Sequence, residues 1–237
     1  MPDVMIPGPA GPLEGRFTRA ANPRAPIALA LHPHPLYGGT MNNKVTYALF
    51  QTLSRHGCAT LRFNFRGVGR SAGLYDQGVG ETEDACAALD WLRATQPEAS
   101  DCWIAGFSFG SWIGLRLWRQ DQRIKHVIAV APPASMFDFD FLNAPSSASN
   151  ATRCGSALFL QGSRDDLAPE PASTALVERF TRAYASKDAL LENRLNVNYH
   201  IVENADHFFS EHMDDLKRSL DAHIGKHLTL PVLPAPV

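Results

Sequence analysis

Gly106-Phe107-Ser108-Phe109-Gly110 sets a serine between two glycines in the pattern G-x-S-x-G. Serine is a weak nucleophile until a base takes its proton. Acyl transfer through it also needs a carboxylate to orient the base and donors for the developing oxyanion. The chain carries candidates for each part. Asp165 follows the apolar run Phe159-Leu160 through Gln161-Gly162-Ser163-Arg164, and its neighbour Asp166 competes for the same role. His207 follows Tyr199-His200-Ile201-Val202 at a distance of a few loop residues. The order Ser–Asp–His is the one expected when the serine rides on a strand-to-helix turn. The backbone N–H of Phe109 is the first oxyanion donor to expect. The second should come from the loop His32-Pro33-His34-Pro35, where the prolines have no N–H, so His34 is the local candidate.

The flanking segments are those that would position these groups. Residues 101–105 read as a buried strand and residues 108–118 as a helix, so Ser108 stands on a sharp turn between them. The glycines permit that turn and a close backbone approach. A helix N-terminus beside the turn favours a nearby anion. Pro26-Ile27-Ala28-Leu29-Ala30-Leu31 is a continuous apolar run, the mark of a strand covered on both faces. The alternation then repeats: helix 42–55, strand 59–65, helix 81–94, strand 127–131, strand 157–160, helix 170–180, strand 198–202 and helix 211–227. Residues 3–20 hold two short extended stretches expected to pair as a hairpin. Alternating strands and helices predict an α/β fold, a mostly parallel sheet with helices on both faces. Ligands of such sheets bind beyond the carboxyl ends of the strands. The chemical candidates above all follow strands. A single domain over 1–237 is expected, with a short cap-like insertion at 137–155 whose middle should be mobile, and an extended tail at 228–237.

The chain resembles the α/β-hydrolase superfamily. Within it, the chain is similar to a group of small, nearly capless bacterial serine hydrolases. The motifs are H-P-H-P at residues 32–35, G-G-x-M-x-N-K at 39's neighbourhood from Gly38 to Lys44, R-F-N-F-R-x-x-G-x-S from Arg62 to Ser71, and G-F-S-F-G from Gly106 to Gly110. The likeness spans roughly residues 13–227. It implies Ser108 as nucleophile and His207 as base. The pattern G-x-x-D-x-x-V-P stands here as Gly162 to Pro169 with Ala168 for the valine, which favours Asp165 over Asp166. His34 takes the place of the usual oxyanion donor. The resemblance implies a mechanism without naming a metabolite.

Plainer roles compete at several positions. Ser108 could be an ordinary turn residue and His207 a surface or helix-capping residue, with His212 as a substitute base. The H-x-H spacing of His32 and His34 can bind metal, but the intervening proline and the lack of a third ligand nearby favour a rigid turn. Gly67, Gly69 and Gly73 miss the dinucleotide fingerprint by one residue and read as loop glycines. Arg66 and Arg70 could meet an anionic substrate, or pair with Glu81 or Asp84; the structural role is favoured. Phe137, Phe139 and Phe141 either line an acyl pocket or anchor the insertion. Leu36, Tyr37, Phe137 and Phe139 are the pocket candidates.

Composition bounds the rest. A chain of 237 residues with 45% apolar and 19% charged residues is an ordinary globular sequence. A formal net charge of −2 gives no electrostatic reason to expect nucleic acid or an anionic membrane as partner. Cys58, Cys86, Cys102 and Cys154 form no C-x-x-C and read as buried free thiols, suited to a reducing compartment. The first residues show neither a basic start nor an apolar run, so a cytoplasmic location is expected. No dimer seam is evident, and a monomer or homodimer is expected. The combined expectation is a serine hydrolase cleaving small or short-chain carboxylic esters, with no cofactor and no metal. Thioester or small-amide hydrolysis by the same residues is the alternative. A non-catalytic binding protein on this fold is the alternative of another class.

Overall fold

β3 (Ile27–Leu31) is buried at all five positions, as its unbroken apolar run requires. It lies at the middle of one eight-stranded sheet of order β1-β2-β4-β3-β5-β6-β7-β8 in this computed structural model, which describes residues 3–143, 154–184 and 195–230. β1 (Asp3–Gly8) and β2 (Gly11–Thr18) pair as the expected antiparallel hairpin, and β2 is antiparallel to β4 (Ala59–Phe63). From β4 onward across β3, β5 (Cys102–Phe107), β6 (His126–Val130), β7 (Gly155–Gly162) and β8 (Leu195–Val202), every pairing is parallel.

Two apolar layers sandwich the sheet, and the strand pleat sorts residues between them. Ala28 and Ala30 face α1 (Lys44–Arg55) and α5 (Met213–His227), against Leu49, Leu53, Leu216 and Leu220. Leu29 and Leu31 face the other layer, where α2 (Val79–Thr95), α3 (Phe109–Gln120) and α4 (Glu170–Tyr184) contribute Leu89, Ile113 and Phe180. Among the described residues no helix is long and apolar enough to cross a membrane.

Where element ends differ from the sequence expectation, local hydrogen bonds explain the shift. α1 begins at Lys44 because the Asn43 side chain accepts the N–H groups of Val45 and Thr46. α2 begins at Val79 because Glu81 reaches back as a capping carboxylate to the N–H groups of Gly78 and Asp76. Glu81 is thus occupied. Arg66 pairs with Asp84 at 2.8 Å, and Arg70 with Glu14 at 3.0 Å and Asp3 at 3.3 Å. β4 stops at Phe63, and the N–H of Phe65 goes to His32 rather than to a ladder. Cys58 and Cys102 are buried, and burial pushes both thiols up to about 12. Cys86 and Cys154 are exposed, against expectation, because α2 turns Cys86 away from its Ala85–Leu89 packing face. The mobile stretch expected in the 137–155 insertion, and the tail beyond 230, lie outside the described residues.

Candidate active site

The link from β5 to α3 is a single residue, Ser108, at φ 52° and ψ −121°. A non-glycine residue there carries strain on the order of 1–3 kcal/mol and persists only when its surroundings hold it. They do so here. The Ser108 N–H donates to Val130 O at 2.8 Å, and the Ser111 hydroxyl donates to Ser108 O at 2.6 Å. A side chain on Gly106 would run into the Gly110 carbonyl, and one on Gly110 into the Leu31 and His32 carbonyls. Both glycines are therefore required by the closeness of β5, α3 and the end of β3.

Ser108 Oγ lies 3.0 Å from His207 Nε2, and His207 Nδ1 lies 2.8 Å from Asp165 Oδ2. These three side chains come from three separate loops at the carboxyl ends of the parallel strands. Asp165 is buried and Asp166 exposed, which separates the two neighbours. The Asp165 carboxylate is saturated with donors. Oδ1 accepts the N–H groups of Leu167 at 3.0 Å and Ala168 at 2.7 Å, and Oδ2 also accepts Gln161 Nε2 at 2.9 Å. Because Asp165 only accepts, His207 holds its proton on Nδ1 and presents bare Nε2 to the serine.

The loop after β3 is fixed from beneath by His32. Its Nε2 accepts the Phe65 N–H at 3.0 Å and its Nδ1–H donates to Pro33 O at 2.6 Å. Burial pulls its pKa down to about 4, so it is neutral near pH 7. His32 therefore acts as a tie between the ends of β3 and β4. His34 next to it caps the short turn Pro35–Tyr37, its Nδ1 accepting the Leu36 N–H at 3.2 Å. Its ring packs against Tyr37, Tyr75, Phe109 and Phe137, with centroids 4.7 to 6.1 Å away. Burial also lowers the His34 pKa. The N–H of His34 makes no hydrogen bond among the described residues. The N–H of Phe109, first in α3, has no intrahelical acceptor.

Ser108, His207, His34 and Phe109 line one cavity of about 360 Å³. Tyr37 and Phe137 line it as expected. Leu36 and Phe139 do not. Leu36 is 66% exposed, because the Pro35–Tyr37 turn points it to solvent. Phe139 is buried in the α2/α3 layer against Phe141, because the chain is turned at Pro133–Phe137, where the Phe137 N–H donates to Pro133 O at 3.1 Å, and does not run extended from Phe137 to Phe141. The Trp112 indole N–H donates to Asp138 O at 2.7 Å and pins this segment to α3. Sequence reasoning missed Asn43, Pro133, Met136, Leu167 and Phe208 in the lining, although Met136, Leu167 and Phe208 neighbour residues it singled out. It also missed Gln161, whose only sign was a polar residue inside an apolar strand. A larger hollow of about 780 Å³ lies between β8 and α5. It contains His212 but neither Ser108 nor His207, so the smaller cavity is the candidate site.

Fold and site together define an α/β serine hydrolase. The sequence profile of the X-Pro dipeptidyl-peptidase (S15) family matches residues 9–223, and the chain belongs to that family. It is 40% identical over 227 residues to an uncharacterized protein of Rickettsia prowazekii (strain Madrid E), covering 94% of this chain and 89% of that one. A solved structure from Agrobacterium tumefaciens, a protein of unknown function, is 37% identical with a TM-score of 0.84, covering 97% of this chain and all of that one (100%). An α/β serine hydrolase without a lid from Xanthomonas campestris is 30% identical with a TM-score of 0.77, covering 98% and 96%.

Proposed function

We propose that this protein hydrolyses uncharged carboxylic esters of small acyl groups through an acyl-enzyme. The observation that carries the reading is the continuous hydrogen-bond line Ser108–His207–Asp165 opening into an apolar cavity. Ser108 Oγ attacks the ester carbonyl while His207 Nε2 takes its proton. The Asp165 carboxylate keeps His207 in the right tautomer and stabilises the imidazolium. The N–H groups of Phe109 and His34 receive the tetrahedral oxyanion, each worth about 3 kcal/mol of barrier. His207 then gives the proton to the leaving alkoxide, and the alcohol departs. Water, deprotonated by His207, attacks the acyl-enzyme and releases the acid. No step calls on a metal or cofactor.

The family's name raises a peptidase reading. A dipeptidyl-peptidase has to hold the free α-amino group of its substrate, and a carboxylate is the natural partner for that cation. The cavity lining has no Asp or Glu among the described residues. That argues for a neutral ester over a peptide with a free N-terminus. Thioesters and small amides share the acyl-enzyme chemistry, and a substrate panel separates them.

The test is labelling with a fluorophosphonate probe, alongside hydrolysis of p-nitrophenyl acetate and butyrate, in wild type and Ser108→Ala. Labelling and turnover that both vanish in the variant support the reading. Folded wild type that takes no label overturns it in favour of a ligand-binding role. A preference for acyl chains beyond about ten carbons would contradict the small cavity.

A further inference from the structure

Asn43 and His34 share an unusual feature: each spends its acceptor atom on its own loop. Backbone N–H groups only donate, so the Asn43 atom that meets Val45 N–H at 2.9 Å and Thr46 N–H at 3.4 Å must be Oδ1. The atom left over is the amide nitrogen with two hydrogens. The same logic holds at His34. Its Nδ1 accepts the Leu36 N–H, so the neutral ring carries its proton on Nε2. Neither leftover nitrogen has a hydrogen-bond partner among the described residues, neither is sealed from water, and both residues line the cavity that holds Ser108. Among the described residues the remaining lining is apolar apart from Ser108, His207 and the Tyr37 hydroxyl, and it includes no Asp, Glu, Lys or Arg. Tyr37 stands at the mouth, 82% exposed.

We infer that Asn43 and His34 are specificity residues that select an acyl group carrying a hydrogen-bond acceptor, such as an ether or keto oxygen, close to the ester carbonyl. This rests on the ester-hydrolase reading above. An all-hydrocarbon acyl group would leave both donors buried without partners when it displaces water from the cavity. That is a larger penalty than the gain from one ordinary hydrogen bond. A carboxylate-bearing acyl group would find donors but no cation to neutralise it. An uncharged acyl group with one oxygen in place of a methylene satisfies the donors and keeps the apolar contacts with Phe109 and Phe137. The selection acts by position in the cavity, while His207, Ser108 and the two backbone N–H groups do the bond making.

The test compares p-nitrophenyl methoxyacetate with p-nitrophenyl butyrate, which differ by one oxygen in place of one methylene. The ratio of their kcat/KM values is divided by the ratio of their alkaline hydrolysis rates, which removes the intrinsic activation by the ether. A corrected preference of about 10-fold for methoxyacetate is expected in wild type. Asn43→Asp keeps an oxygen acceptor to cap α1 and replaces the donor by a carboxylate, so the corrected preference should fall to one or below. Asn43→Ser also caps the helix and serves as the second variant, with thermal melts to show that α1 is intact. A corrected ratio near one in wild type, or a ratio unchanged in both variants, overturns the inference. Fluorophosphonate labelling of Ser108 separates the two levels. Labelling without the preference overturns this inference alone, and absence of labelling overturns it together with the ester-hydrolase reading.

Discussion

Asp165→Asn is a near-isosteric change whose consequence the hydrogen bonds around it dictate. Asp165 accepts four N–H donors: Leu167, Ala168, Gln161 and His207. In asparagine one of the two terminal atoms becomes a donor. The backbone N–H groups of Leu167 and Ala168 cannot reverse, so the amide oxygen must face them and the amide nitrogen must face His207 and Gln161. His207 then meets a donor at Nδ1 and responds by moving its proton to Nε2. That nitrogen sits 3.0 Å from Ser108 Oγ and can no longer accept the serine's proton. The same tautomer trap in another serine triad costs about 10⁴ in kcat, or roughly 5.5 kcal/mol of barrier. Gln161 is left with a donor facing a donor. It is held from flipping because its Nε2 also serves Ala168 O at 2.8 Å. That conflict should remove about 2 kcal/mol of stability, or roughly 4–8 °C in Tm. The assay is p-nitrophenyl acetate turnover with a thermal melt, and exposed Asp166→Asn as the control, expected within about 2-fold of wild type. An Asp165→Asn enzyme that keeps more than about a thirtieth of wild-type kcat would refute the tautomer argument.

Ser108→Ala should lose turnover on the scale of 10⁶-fold. Ser108→Gly should be equally inactive yet more stable than Ser108→Ala by about 1–2 kcal/mol, since only glycine relieves the φ of 52°; equal urea midpoints would deny the strain. Burial holds His32 at about 4 and His223 at about 3, below the ordinary 6.5. The unfolded chain therefore binds more protons than the folded one below about pH 6.5, and stability should fall as pH drops from there towards 4, by about 3 kcal/mol for His32 alone. A urea midpoint that stays level between pH 7 and 4.5 would show that these rings are not held neutral. Asp84→Ala removes the buried partner of Arg66 at 2.8 Å and leaves it only the more exposed Glu83 at 3.5 Å and Asp76 at 3.8 Å, so it should cost about 1.5–3 kcal/mol in urea unfolding; a loss under about 0.5 kcal/mol would mean that the pair is solvated.

The parts of this molecule that could be read from sequence are those where one local constraint acts alone. Ile27–Leu31 is apolar because it is covered on both faces, and Gly106 and Gly110 are small because backbone passes within contact of them. Such constraints leave a mark on the residue type itself. Asp165 and Asp166 are the same residue type; the spacing from Gly162 to Pro169 favours the first by resemblance, and the depth of the turn after β7, which buries one and exposes the other, supplies the physical reason. Phe137 and Phe139 looked equivalent because alternation assumes an extended chain, whereas Phe137 closes a turn on Pro133 and only Phe137 lines the cavity. Asn43 is the clearest case of hidden information. As a residue type it announces a helix cap, and it is one. Because the cap consumes its oxygen, only its nitrogen is left for a ligand of the cavity that Asn43 lines, a directional property that no residue count or spacing can carry.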